Sequence, residues 1–329
     1  MESLMFALNA VLPIILMVVA GYLLKRCGLM KADLAKPLNK LVFRVFLPVM
    51  LFLNVYKIEN LGQMDFGYII FVIVIIAMVF GISIPVVLCV TQKGEQRGAL
   101  LQASFRSNYA LIGIPLAQSL FGEAGVAVAT LLSAVVIPLF NVLAVISLSV
   151  FRQNGKKTDV KKILSDIFKI TLIQSIAAGL IVLGIRTLFV RWGIVFCLKD
   201  IKPVYKVLEY LSGMATPMAL LVLGVQFEFS AVASLKREIL YGTLARTLFV
   251  PLLGIGIAYL PFRDSFSGAH FAAFVAVFAT PVAVSSVPMA QEMDSDVILA
   301  GQLVVWTTLF SALSVFLASF LLKFAGVFS

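Results

Sequence analysis

One histidine, three cysteines and 16 carboxylates among 329 residues leave this chain poorly equipped for catalysis. His270 has no second histidine with which to hold a metal or relay a proton, and Cys27, Cys89 and Cys197 stand far apart without any CxxC pair. No cofactor or metal is expected. The acids Glu123, Glu228, Glu292, Asp294 and Asp296 fall at the ends of apolar runs, not inside them. Neither clustered carboxylates nor a nucleophile with its base is in view, which argues against a membrane-embedded transferase, the enzyme class such a composition would otherwise allow. A long soluble domain and a glycine-rich filter loop are missing too, so a receptor or channel has no sequence sign of its own.

What remains is grease. Hydrophobic residues make up 61% of the chain and charged ones 13%, a balance foreign to soluble domains of this length. Without water in the hydrocarbon layer every backbone polar group must be satisfied inside its own segment, and about 20 apolar residues in a helix span the roughly 30 Å required. Runs such as Tyr68–Val90 and Val297–Leu322 are continuously apolar, where barrel strands would alternate. The fold class expected is an all-α integral membrane protein with ten transmembrane helices at 4–24, 37–56, 68–91, 100–121, 123–150, 168–189, 204–226, 239–260, 268–291 and 297–322. Nucleic acid is not the expected partner of the net charge of +10; the lipid bilayer is, since basic residues of multispanning proteins collect in cytoplasmic loops. The basic loops follow spans one, three, five and seven, which puts both termini outside and the linker 152–167 in the cytoplasm. Arg186, Arg191, Lys199 and Lys202 run against that rule. Lys25 and Arg26 follow the first span and no basic residue precedes it, the reverse of a cleaved signal peptide.

The linker divides the chain into residues 1–151 and 168–329, five spans each, so the halves would be inverted five-helix repeats. Weak internal matches support this: Pro115-Leu116-Ala117-Gln118 against Pro288-Met289-Ala290-Gln291, 173 residues apart, and Pro48 against Pro217, 169 apart. Spans four and nine carry the unusual chemistry, in Ser107–Pro115 and Ala279–Pro288. Proline removes a helical hydrogen bond and strikes the preceding turn, so these stretches predict broken helices whose freed backbone must line a polar cavity. A half-helix that restarts there offers free N–H groups and partial positive charge to an anion. Candidate substrate-binding residues are Asn108 first, then Gly113, Pro115, Thr280, Pro281, Ser285, Ser286 and Pro288. Pro48, Pro85, Pro138, Pro217 and Pro251 read as simple kinks. Arg106, beside Asn108, either binds the anion or snorkels from a span end; Arg44 and Arg246 read as snorkelling or structurally paired.

The segments SNYALIGIPLAQSLFG (107–122), FATPVAVSSVPMAQEM (278–293) and VVWTTLFSALSVF (304–316) resemble the auxin efflux carrier family, including its bacterial malonate-transporter-like members. The resemblance covers nearly the whole chain. It implies the architecture of sodium–bile acid symporters, with spans four and nine crossing at proline-marked breaks where substrate binds, and either Pro281 or Pro288 marking the second break. It also implies a multi-pass protein of the plasma membrane, here a bacterial inner membrane. The expected function is alternating-access transport of a small organic anion, a mono- or dicarboxylate, by a secondary transporter or uniporter. A sodium-coupled symporter of a bulkier, bile-acid-like anion is the alternative. Proton or sodium coupling and a homodimer are compatible with both.

Overall fold

The computed structural model describes residues 2–57, 65–152, 169–193 and 196–328, so the basic linker lies, apart from Arg152, outside the described residues. The described chain is helical without named strands. The helices are α1 (Glu2–Arg26), α2 (Ala32–Leu41), α3 (Leu47–Tyr56), α4 (Phe66–Val90), α5 (Gly94–Phe105), α6 (Ile114–Arg152), α7 (Thr171–Arg191), α8 (Lys202–Gln226), α9 (Ala231–Ser234), α10 (Lys236–Leu244), α11 (Val250–Tyr259), α12 (Gly268–Phe278), α13 (Ser286–Glu292) and α14 (Val297–Phe324). Among the described residues, seven helical stretches are long and apolar enough to cross a membrane by length and composition, and α12 is a shorter apolar helix. The chain is a multi-pass membrane protein.

Three π turns, Val42–Phe46, Tyr109–Gly113 and Ala245–Phe249, lead into α3, α6 and α11. Each is followed two residues later by a proline: Pro48, Pro115 and Pro251. A π turn adds one residue to the hydrogen-bonded ring, which shifts the carbonyl that the proline ring would otherwise strike and absorbs the missing N–H. The sequence therefore keeps these helices continuous across a residue that would break an ordinary α-helix. Inside α6 the backbone leaves helical values at Phe121 (φ −144°) and Gly122 (φ 55°), so the segment is two helices meeting at a bend.

Burial sorts the helices. Residues Phe271 to Val277 of α12 are all fully buried, and α5 is buried almost throughout. A helix apolar on every side belongs at the centre of a bundle, and α12 lies there along α6. The outward faces of α4, α7, α11 and α14 carry exposed large apolar residues such as Ile70, Ile181, Leu252 and Phe320, as a lipid-facing surface requires. Elsewhere α1 packs along α8 and α14, and α3 along α7 and α8.

The α1–α8 contact is made by backbone. A Cβ on Gly21 would run into the Leu221 carbonyl, and one on Gly224 would meet the Val18 carbonyl oxygen and come within 2.8 Å of the Tyr22 nitrogen. Small residues let membrane helices approach closely enough for dispersion contacts to hold them. Gly224→Val should therefore cost about 1–3 kcal/mol by overpacking. Gly256→Ala, whose Cβ would meet nothing within 4 Å, should leave stability unchanged. Thermal melts of the purified variants in detergent check both.

Candidate functional site

Two helices are interrupted at the centre of the bundle. After α5 ends at Phe105, residues 106–108 are non-helical until the chain turns back into helix at Tyr109; after α12 ends at Phe278, residues 279–285 are non-helical until α13 begins at Ser286. The two interruptions lie side by side. Ser107 and Val282 form an isolated antiparallel bridge, and the Asn108 N–H donates to the Pro281 carbonyl at 2.7 Å. The Val282 N–H donates to Thr307 Oγ1 at 3.1 Å, and Gln102 Nε2 reaches the Ser286 carbonyl at 3.4 Å. Backbone that left its helix has thus found partners within the protein, as burial in an apolar medium demands.

Two arginines converge on this crossing. Arg106 is 3% exposed and does not snorkel. Its guanidinium donates to Gln102 Oε1 (3.1 Å), Asn141 Oδ1 (2.8 Å), Ser285 Oγ (2.8 Å) and the Met289 sulfur (2.7 Å). All four partners are neutral. Among the described residues none of the ion pairs involves Arg106. Arg246, fully buried, donates Nε to the Thr280 carbonyl (2.8 Å), Nη1 to that of Phe105 (3.1 Å) and Nη2 to that of Val277 (2.6 Å). Arg44, by contrast, has a side chain 59% exposed and pairs with Glu292 at 3.2 Å.

A small cleft opens on the crossing, with Arg106, Ser107, Asn108, Asn141, Asn54 and Ser285 as its polar groups and Leu47, Met50, Ile137 and Phe140 among its apolar walls. Its volume is about 50 Å³, several times the roughly 10–15 Å³ that one ordered water needs. Asn108 Nδ2 and Ser107 Oγ are buried and have no hydrogen-bond partner among the described residues. Larger cavities elsewhere, of about 440 Å³ between α11 and α14 and about 220 Å³ between α1 and α14, are almost wholly apolar and bordered by exposed side chains. They are grooves in the lipid-facing surface.

Of the residues singled out from the sequence, Arg106, Asn108 and Ser285 line the cleft together. Thr280 and Pro281 belong to the crossing but offer their carbonyls to Arg246 and Asn108. Pro281 stands at the crossing itself, whereas Pro288 lies in the first turn of α13, where no intrahelical donor is needed. Ser286 is buried there, its hydroxyl without a partner among the described residues, outside the residues that line the cleft. Pro115 is exposed beyond the π turn. Gly113 is a packing residue: a Cβ would fall 2.9 Å from the Ala276 carbonyl oxygen of α12 and 2.8 Å from Tyr109. The sequence places Ser107 in the distinctive stretch without making it a candidate and leaves Asn141 and Asn54 aside, although an asparagine within an apolar run is itself a signal.

The model of the family described as "Membrane transport protein" matches residues 6–319. The chain belongs to this family. It is the family of the auxin efflux carriers, to which the sequence bears its resemblance. Two relatives within the membrane transport protein family are archaeal proteins named as uncharacterized transporters. One, from Methanothermobacter thermautotrophicus, is 25% identical over 314 residues, covering 93% of this chain and 95% of the relative. The other, from Methanocaldococcus jannaschii, is 27% identical over 330 residues, covering 97% and 99%. The family and the names of these relatives both indicate a membrane transporter.

Proposed function

We propose that the protein is a secondary transporter or uniporter that moves a small organic anion, a mono- or dicarboxylate, by alternating access around the crossing of the two interrupted helices. The observation that carries this reading is Arg106. Holding a guanidinium out of water costs several kcal/mol unless an opposite charge compensates, and the groups around this one are neutral dipoles. An anion in the cleft would supply the missing charge, a carboxylate displacing neutral acceptors that now occupy the Nη groups of Arg106. Asn108 Nδ2 and Ser107 Oγ, unpartnered and lining the same cleft, would complete its hydrogen bonds. The cleft's volume favours a small anion over a bile-acid-like one.

In this reading the chain crosses the membrane ten times as two inverted five-helix halves. The continuous apolar stretch Tyr109–Phe151 is 43 residues, about 65 Å as a straight helix and twice the hydrocarbon thickness. The bend at Phe121–Gly122 lets it return as two crossings, the first continuing α5 and the second reaching the basic linker. With α12 and α13 counted as one interrupted crossing, the interrupted spans are the fourth and the ninth, and the site lies where the two halves meet. The linker would then be cytoplasmic and both termini outside.

The test is thermal stabilisation of purified protein by acetate, malonate, succinate and benzoate against chloride, in wild type and Asn108→Ala, because a ligand that binds only the folded state raises its apparent stability. A carboxylate-specific shift, diminished in the variant, is expected. No shift with any carboxylate, or equal shifts in both proteins, would remove the anion site from the crossing.

A further inference from the structure

Arg246 has a different job from Arg106, and its partners say what it is. Phe105 is the last residue of α5, Val277 lies in the last turn of α12 and Thr280 just beyond it. The guanidinium therefore bonds the carbonyl ends of both interrupted helices at once. A helix C-terminus carries roughly half a negative charge, so two of them pointing at one place present about one full negative charge. Carbonyl oxygens of unwound backbone and half-helix C-termini are the groups with which membrane carriers coordinate a sodium ion. Here three such oxygens converge, and they are held by a cation tethered to the chain. None of the ion pairs found among the described residues involves Arg246, so the carbonyls are its counter-charge.

We propose that Arg246 is the resident cation of the crossing, occupying the carbonyl cage that would otherwise bind a monovalent metal ion. The inference rests on the anion-carrier reading for its meaning in transport, because it determines which charges travel. With a fixed cation at the C-terminal ends, the two helix dipoles stay neutralised in every state of the cycle, whether or not the cleft beside Arg106 is loaded. No sodium ion needs to enter or leave at this place, and the charges that travel are those of Arg106 and of the anion it holds. The π turn Ala245–Phe249, which joins α10 to α11 without a break, carries the side chain to the crossing. The cage is also remote from exchange, since Thr280 and Val277 are fully buried and Phe105 nearly so.

Removing the tether should turn the cage into a cation site. Arg246→Ala leaves the Phe105, Val277 and Thr280 carbonyls facing a space the size of a guanidinium, and Arg246→Lys keeps a fixed charge that can reach part of the cage. Thermal melts are run at constant ionic strength in sodium chloride, N-methylglucamine chloride and low-millimolar guanidinium chloride. Wild type and Arg246→Lys should melt alike in all three. Arg246→Ala should melt lower in N-methylglucamine and recover by several degrees with sodium or guanidinium, the size of effect of a ligand at about 100 times its dissociation constant on the folded state. A wild type that itself needs sodium for stability or uptake would overturn the proposal, as would an Arg246→Ala protein whose melting ignores the cation. Should Arg246→Ala fail to fold in every salt, wild type and Arg246→Lys decide the matter: cation-independence of both sustains the proposal and sodium-dependence of either defeats it. Carboxylate shifts on wild type, recorded in the same plate, report on the anion site separately, so failure of one reading is not mistaken for failure of the other.

Discussion

Arg106→Gln should abolish carrier-mediated anion uptake into proteoliposomes while leaving the protein at least as stable as wild type. The two halves of that expectation have opposite signs, which is what makes the variant informative. Glutamine retains a donor for Asn141 Oδ1 or Ser285 Oγ, now held at 2.8 Å each, but loses the charge. A hydrogen bond to a charged group contributes roughly 1.5–3 kcal/mol, and a bidentate Arg–carboxylate pair makes two. Losing about 3 kcal/mol of substrate binding lowers uptake at subsaturating anion by about two orders of magnitude. The fold, meanwhile, gives up hydrogen bonds to neutral acceptors but is relieved of the several kcal/mol that an uncompensated buried charge costs. Arg106→Lys, a point charge without the planar fork, should fall between. Uptake by Arg106→Gln equal to wild type would take the anion partner away from this residue; a melting temperature that collapses with uptake would show that Arg106 serves the structure instead.

Much of the fold could be read from the chain because its signals are local. Apolar runs of helical length are contiguous, and the stretches Ser107–Pro115 and Ala279–Pro288 announce their interruptions by proline and small polar residues gathered where hydrocarbon tolerates neither. The site itself was only partly legible. Arg44 and Arg246 look alike in sequence, each an arginine in an apolar run with a proline four or five residues on, yet one side chain is 59% exposed at the end of a salt bridge and the other is wholly buried. What separates them is whether a helix faces the crossing, and that depends on contacts 31 to 141 residues away in sequence. The role of Gly113 was hidden for the same reason: what it excludes is a clash with the Ala276 carbonyl of a helix from the other half of the chain. Pro115 was conspicuous because proline is conspicuous, but the π turn before it accommodates the ring without bringing it to the cleft.

The second large effect is expected at the far end of α13, where side-chain amides tie the helix to its neighbours. Asn39 Nδ2 donates to Gln226 Oε1 and to Gln291 Oε1, both at 2.9 Å; Gln226 Nε2 reaches Gln291 Oε1 at 3.2 Å, and Gln291 Nε2 donates to the Lys36 carbonyl at 3.0 Å. Asn39 is fully buried. The cluster thus fastens α13 to α2 and α8, and if α13 moves with the site during alternating access, these bonds must break in one of the two states. Asn39→Leu keeps the volume and leaves the Gln226 carbonyl oxygen without its donor, at a cost of about 1–3 kcal/mol to the fastened state alone. Such a difference shifts a two-state equilibrium by roughly 5- to 150-fold. The neighbouring Arg44–Glu292 pair is half in solvent and should contribute no more than about 1 kcal/mol, so Arg44→Ala should do little. Maleimide labelling of Met50→Cys, a cleft-lining position, in a protein whose three native cysteines are serine reads the equilibrium directly. The rate should rise about tenfold or more with Asn39→Leu and stay unchanged with Arg44→Ala. If Asn39→Leu lowers the melting temperature but not the protection of the cysteine, the cluster only glues helices together and α13 is not the element that moves.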